Sequence, residues 1–199
     1  MRARPGETPD WSPRLIRRTR RLLLFICVCG LVLITPRPAD ALNEAGAEYR
    51  AKIAFIYSIA KFVEWPSGSY QNPTAPLRIC IVGTDPFSRE LKDELRTRKV
   101  KGHPVEIKTV KPGDAIDPCH IVFIPLASKK HSASILKRLE RSSTLTVGET
   151  EGFAMMGGII NFAIKGNRLH FEVNPRAAKR ADLKLSSKLL DIATIIKER

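Results

Sequence analysis

The sequence predicts an α/β fold: a single domain with a mostly parallel sheet flanked by helices and a C-terminal antiparallel β-hairpin. Three observations predict it. Between Leu77 and Glu149 short apolar runs alternate with helix-like stretches, the order that a parallel sheet with crossover helices requires. Two alternating runs, Ile159 to Ile164 and Arg168 to Val173, flank Lys165-Gly166-Asn167, which is hairpin chemistry. The 199 residues suffice for one domain with its own core and are too few for two comfortable ones.

Residues 1–41 carry the pattern of an export signal. Basic RLIRRTRR (14–21) precedes the apolar run LLLFICVCGLVLI (22–34), and Ala39-Asp40-Ala41 supplies a small-x-small cleavage site. The run is short for a spanning helix of roughly 20 residues. Cleavage after Ala41 is therefore expected, with an uncleaved amino-terminal anchor as the alternative. Residues 42–199 would then form the exported mature domain.

The elements of that domain follow in order. Leu42 to Pro66 reads as a helix, because Ile53, Ile56, Tyr57, Ala60 and Val63 recur at spacings of three and four and Pro66 stops the pattern. After a Ser, Asn and Pro-rich loop, Leu77 to Thr84 is a strand. Asp85-Pro86 starts a helix over Pro86 to Lys99, with Asp85 as cap and proline at the first helical position. Pro104 to Val110 alternates like a strand, and Cys119 to Leu126 is an apolar run short enough for a buried one. Ser128 to Ser142 reads as a helix and Thr144 to Glu149 as a strand. Beyond the hairpin, Asn174 caps a helix over Pro175 to Asp182, and Ser186 or Ser187 caps a last one over Ser187 to Glu198.

Charge and cysteine usage narrow the function classes. The formal net charge is +14, and the chain stays basic without its first 41 residues. Basic proteins attract nucleic acid, anionic lipid or acidic partners. Export disfavours nucleic acid, leaving the membrane surface and protein partners, or a merely solvated surface. Cys27 and Cys29 fall in the apolar run, so the mature domain keeps Cys80 and Cys119. Two cysteines in an oxidising compartment suggest a disulfide. In the usual doubly wound order the first strand lies between the second and third, which brings both cysteines to one sheet edge. Two buried free thiols are the alternative.

Chemical motifs are sparse. IVGTDPFSRE has one glycine where a dinucleotide fingerprint needs G-x-G-x-x-G, and it puts Asp85 where a phosphate would sit. His103, His120, His131 and His170 lack a metal-ligand spacing, and a G-x-S-x-G elbow is absent. No catalytic residue, metal or cofactor is expected. Gly157-Gly158 suits either an anion nest or relief of crowding at a strand entrance. Phe62, Trp65 and Tyr70, and Phe153 with Met155-Met156, suit binding surfaces or, more often, a core.

Together, KIAFIYSIAKFVEWP, PLRICIVGTDPF, CHIVFI, GGIINFAIKGNRLHFEVN and LKLSSKLL resemble the YfiR family of exported bacterial proteins, from about Ala47 to the end. The resemblance implies a non-catalytic periplasmic regulator. Its target would be the periplasmic domain of an inner-membrane diguanylate cyclase, or another membrane sensor, and its output repression of cyclic-di-GMP synthesis. An outer-membrane lipoprotein that relieves repression and a second copy of the chain, forming a homodimer, are further partners in view. The family's disulfide carries over to Cys80 and Cys119, whereas a second pair, found in a named member after CHIVFI, has no counterpart here. Phe62, Trp65, Asp85 and Phe87 are the candidate partner or ligand surface. The alternative function is a periplasmic small-ligand sensor, with its site beyond the strand carboxyl ends around Gly83 to Phe87 and Pro125 to Ser128.

Overall fold

The computed structural model describes residues 50–83, 93, 95, 97–116, 118–165 and 168–197. The export signal, Asp85 and Phe87 lie outside the described residues. Helix α1 covers residues 50–60 and buries Ile53, Ile56, Ile59 and Ala60. It ends earlier than its apolar pattern suggests. Phe62 N–H donates to the carbonyl of Ile59 (2.8 Å), and the chain then extends into β1, Val63–Glu64. Val63 and Glu64 pair antiparallel with Leu185 and Lys184 of β9 (Lys184–Leu185), and Ser186 N–H donates to the carbonyl of Phe62. A β-branched residue with a strand partner outweighs helical periodicity at this point.

The main sheet forms around β2, Leu77–Val82, which lies parallel to β4, His103–Val110, on one side and to β5, Ile121–Ile124, on the other. The first strand thus sits between the second and third, as predicted. The sheet continues through β6, Leu145–Gly148, and β7, Ile160–Lys165, both parallel. Strand β8, Arg168–Val173, then returns antiparallel to β7. With β10, Thr194–Ile195, and β3, Lys99–Val100, at its two ends, the full order is β10-β8-β7-β6-β5-β2-β4-β3.

Alternation along the buried strands builds two cores. Ile79, Ile81, Ile121, Phe123, Leu145 and Val147 share one with the apolar face of α1. Cys80, Val82, Val122 and Ile124 share the other with Ile135, Leu136 and Leu139 of α2, Ser132–Leu139. This is the sandwiching of a parallel sheet between helices that makes its strands read as continuous apolar runs. A 3-10 turn, Leu126–His131, links β5 to α2, so the predicted helix is α-helical only from Ser132 to Leu139.

Two further differences concern edges. Asp93 and Leu95 are helical, but Lys99 leaves the predicted helix to form β3, Lys99–Val100, paired with β4 around Lys101 (φ 50°) and Gly102 (φ 91°). Two successive positive φ angles make the tight turn that matches strand twist. At the other end, Asn174 caps α3, Pro175–Arg180, accepting from Ala177 N–H, and Ser186 caps α4, Ser187–Asp191. The expected last helix stops there, and Thr194–Ile195 forms β10, parallel to β8. Ile192, Thr194, Ile195 and Ile196 are β-branched, and Ile196 N–H donates to the carbonyl of Val173, so the exposed sheet edge captures the tail.

Candidate functional site

Of the four candidate surface residues, Phe62 and Trp65 are among the described ones. Phe62 is on the surface (37 % exposed), whereas Trp65 turns inward against the core and donates from Nε1 to the carbonyl of His120 (3.3 Å). Gly83 has φ +100°, and a Cβ there would fall 2.5 Å from Ser128 Oγ, which itself donates to the carbonyl of Val82. The glycine at the end of β2 therefore serves a close approach of the 3-10 turn to the strand. Gly158 likewise relieves crowding, since its Cβ would lie 2.2 Å from the buried ring of Phe153. Met155 and Met156 differ from the core assignment: they are 70 % and 47 % exposed while Phe153 is fully buried.

At the amino-terminal edge of the sheet, Cys80 and Cys119 are joined by a disulfide with Cα atoms 5.9 Å apart. Beside it lies an aromatic cluster that sequence reasoning missed. The ring of Tyr70, from the loop after β1, stacks between His103 (3.7 Å) and His120 (4.4 Å), with Trp65 edge-on to His120. His120 Nδ1 accepts from Arg78 N–H (3.0 Å), which requires the neutral ring with its proton on Nε2, facing the carbonyl of Ser69 (3.0 Å). Burial lowers the His120 pKa below its usual value; the Ser69 bond opposes this, and the charges of Arg78 and His103 add to it. Burial also pushes Tyr70 up to about 12. His103 Nδ1 meets the carbonyl of Ala75 at 2.8 Å. The two imidazoles thus clamp the 66–76 loop by stacking and by its own carbonyls. Four of the cluster's five ring nitrogens meet neighbouring backbone, which gives it a structural role.

The carboxyl end of the sheet is different. A cleft of about 540 Å³ opens there, lined by Leu126, Glu149, Glu151, Phe162, Leu169 and Glu172 among others. Glu149 ties its floor together: it pairs with Lys52 of α1 (2.8 Å) and accepts from Leu126 N–H (3.0 Å). Glu172 of β8 accepts from Asn161 Nδ2 of β7 (3.0 Å). Leu126 and Leu169 remain 53 % and 40 % exposed at the rim. Leu126 falls within the stretch expected from the strand-end rule. Glu149, Glu151 and Glu172 carried no sequence signal, because their convergence depends on strand order. Among the described residues, no group of three or more His, Cys, Asp or Glu side chains is placed to hold a metal ion. None of the described helices is long and apolar enough to cross a membrane.

The apolar rim and acidic lining suit a basic group better than a phosphate, since carboxylates repel phosphate and attract ammonium or guanidinium groups. Comparison with protein families matches residues 49–194 to the model described as YfiR/HmsC-like. A search of curated proteins found no match.

Proposed function

The chain belongs to the YfiR/HmsC-like family, and from that premise we propose that it is a non-catalytic periplasmic regulator that binds the periplasmic domain of a membrane diguanylate cyclase and represses cyclic-di-GMP synthesis. The family match over nearly the whole of the predicted mature domain carries this reading. Residues 1–41 act as the cleaved export signal and 42–199 as the domain that reaches the periplasm. The disulfide suits that oxidising compartment. The carboxyl-end cleft, with its exposed leucines and carboxylates, supplies a surface of the mixed kind that transient partners use.

The mechanism is a shift of population. By binding one conformation of the cyclase's outer domain better than the other, the regulator holds the enzyme's cytoplasmic half inactive, to the extent of that difference in affinity. Deleting the gene should raise cellular cyclic-di-GMP and biofilm. Unchanged levels in cells shown to express a partner cyclase would contradict the reading.

A further inference from the structure

Strand β7 outruns one of its neighbours. It pairs with β8 at all six positions from Ile160 to Lys165, but with β6 only at Ile160 and Asn161, because β6 ends at Gly148. The direction of its remaining backbone groups follows from the ladder. Asn174 N–H donates to the carbonyl of Ile159, so in this antiparallel register the hydrogen-bonded pairs are 159 with 174, 161 with 172, 163 with 170 and 165 with 168. Residues 162 and 164 point their backbone groups the other way, toward the side that β6 has left. Among the described residues, no strand pairs with β7 there. Among the described residues, the carbonyl of Phe162 and the N–H and carbonyl of Ile164 consequently form a short edge without a strand partner.

That edge borders the acidic cleft. Phe162 and Ala163 line it together with Leu126, Leu169 and the carboxylates of Glu149, Glu151 and Glu172; among the described lining residues the one basic side chain is Lys52, which Glu149 engages. The cleft is thus locally acidic in a chain whose net charge is +14. We propose that an extended segment of a partner protein adds to β7 as a strand alongside Phe162 and Ile164, with an apolar side chain between Leu126 and Leu169 and a lysine or arginine against Glu151 and Glu172. Strand addition of this kind takes affinity from the main chain and specificity from alternate side chains. The basic residue is the occupant this charge distribution selects; an acidic or phosphorylated segment would be repelled. The edge offers few residues, which keeps it from templating open-ended assembly.

Resting on the regulatory reading for its natural partner, the proposal is tested without it. The probe is a capped peptide of alternating valine and lysine, with a valine and glutamate peptide as control, added to the full mature protein. Amide exchange is followed by NMR at Ile164 and Ala163. Ile164 N–H should exchange rapidly in the free protein and slow at least about tenfold on saturation with the basic peptide, while Ala163, already in the ladder, changes little. An Ile164→Pro variant should bind the peptide about tenfold more weakly while keeping the β7–β8 ladder, because the lost N–H serves no bond to β8. A Glu172→Lys variant should also weaken binding. No protection of Ile164, equal binding of the acidic peptide, or protection that depends only on protein concentration, as for a second copy, would overturn the proposal. Against the cyclase's outer domain, binding by the wild type that survives Ile164→Pro would retire the edge and keep the regulatory function. Protection by the peptide without binding to that domain would do the reverse.

Discussion

The phenol ring of Tyr70 lies 3.7 Å from the imidazole of His103 and only 8° from parallel to it. With His120 on its other face, one loop side chain is held between two sheet strands by stacking, beside the disulfide that closes the same edge. The arrangement requires His120 to be neutral, because Arg78 N–H already points at its Nδ1.

Acid should therefore loosen this edge. The folded pKa of His120 is lowered, chiefly by burial, so its contribution to stability is fully present above the unfolded value of about 6.5 and is lost as the pH falls through the lower folded value. Arg78 and His103 work in the same direction. The melting temperature of the wild type should fall between pH 7 and pH 5 more steeply than that of His120→Gln. Parallel curves for the two proteins would contradict the clamp.

The disulfide closes a loop across 39 positions between β2 and the start of β5. On the chain-entropy model such a loop contributes about 4 kcal/mol. Urea unfolding of Cys80→Ala/Cys119→Ala should show a loss of that order with the slope against urea raised or unchanged. A difference below about 1 kcal/mol would mean the reduced chain is already restrained.

Gly158 faces the ring of Phe153, and Gly148 approaches the same ring, where a Cβ would lie 2.5 Å away. Gly158→Ala should destabilise by about 1–3 kcal/mol through overpacking of a buried ring. Combining it with Phe153→Leu, which vacates that space, should cost less than the sum of the two single changes. Additive losses in thermal unfolding would place the effect elsewhere.

Asn174 is fully buried and works at both ends of its side chain. Oδ1 accepts from Ala177 N–H (2.9 Å) to cap α3, and Nδ2 donates to the carbonyl of Ala154 (2.7 Å), tying the 151–157 turns to the helix start. Asn174→Ala should cost about 2–3 kcal/mol, more than a surface cap, because it also removes a second buried hydrogen bond, to the carbonyl of Ala154. Asn174→Asp should preserve the cap and lose the Ala154 bond, and chemical denaturation should rank it between the two.

Much of this architecture was legible in one dimension. Periodicity marked α1, the apolar runs marked β2, β5 and β6, and Asn174-Pro175 marked the start of α3, because each signal acts within a few residues of itself. Three places where the chain departs from its local pattern are at edges: Val63–Glu64, Lys99–Val100 and Thr194–Ile195 extend because a strand lies beside them. Local preference there is weak, and a neighbouring ladder of backbone groups is worth more than it. The candidate site was hidden for the same reason. Glu149, Glu151 and Glu172 converge only through the order β6-β7-β8, and Tyr70, His103 and His120 meet only because β4, β2 and β5 are adjacent. By itself the sequence determined the class of fold, the sulfur pair and the family motifs, since these depend on residue type and spacing. Only the tertiary structure decided which strand ends are left open and which charges share a cleft, since those depend on contacts between segments far apart in the chain.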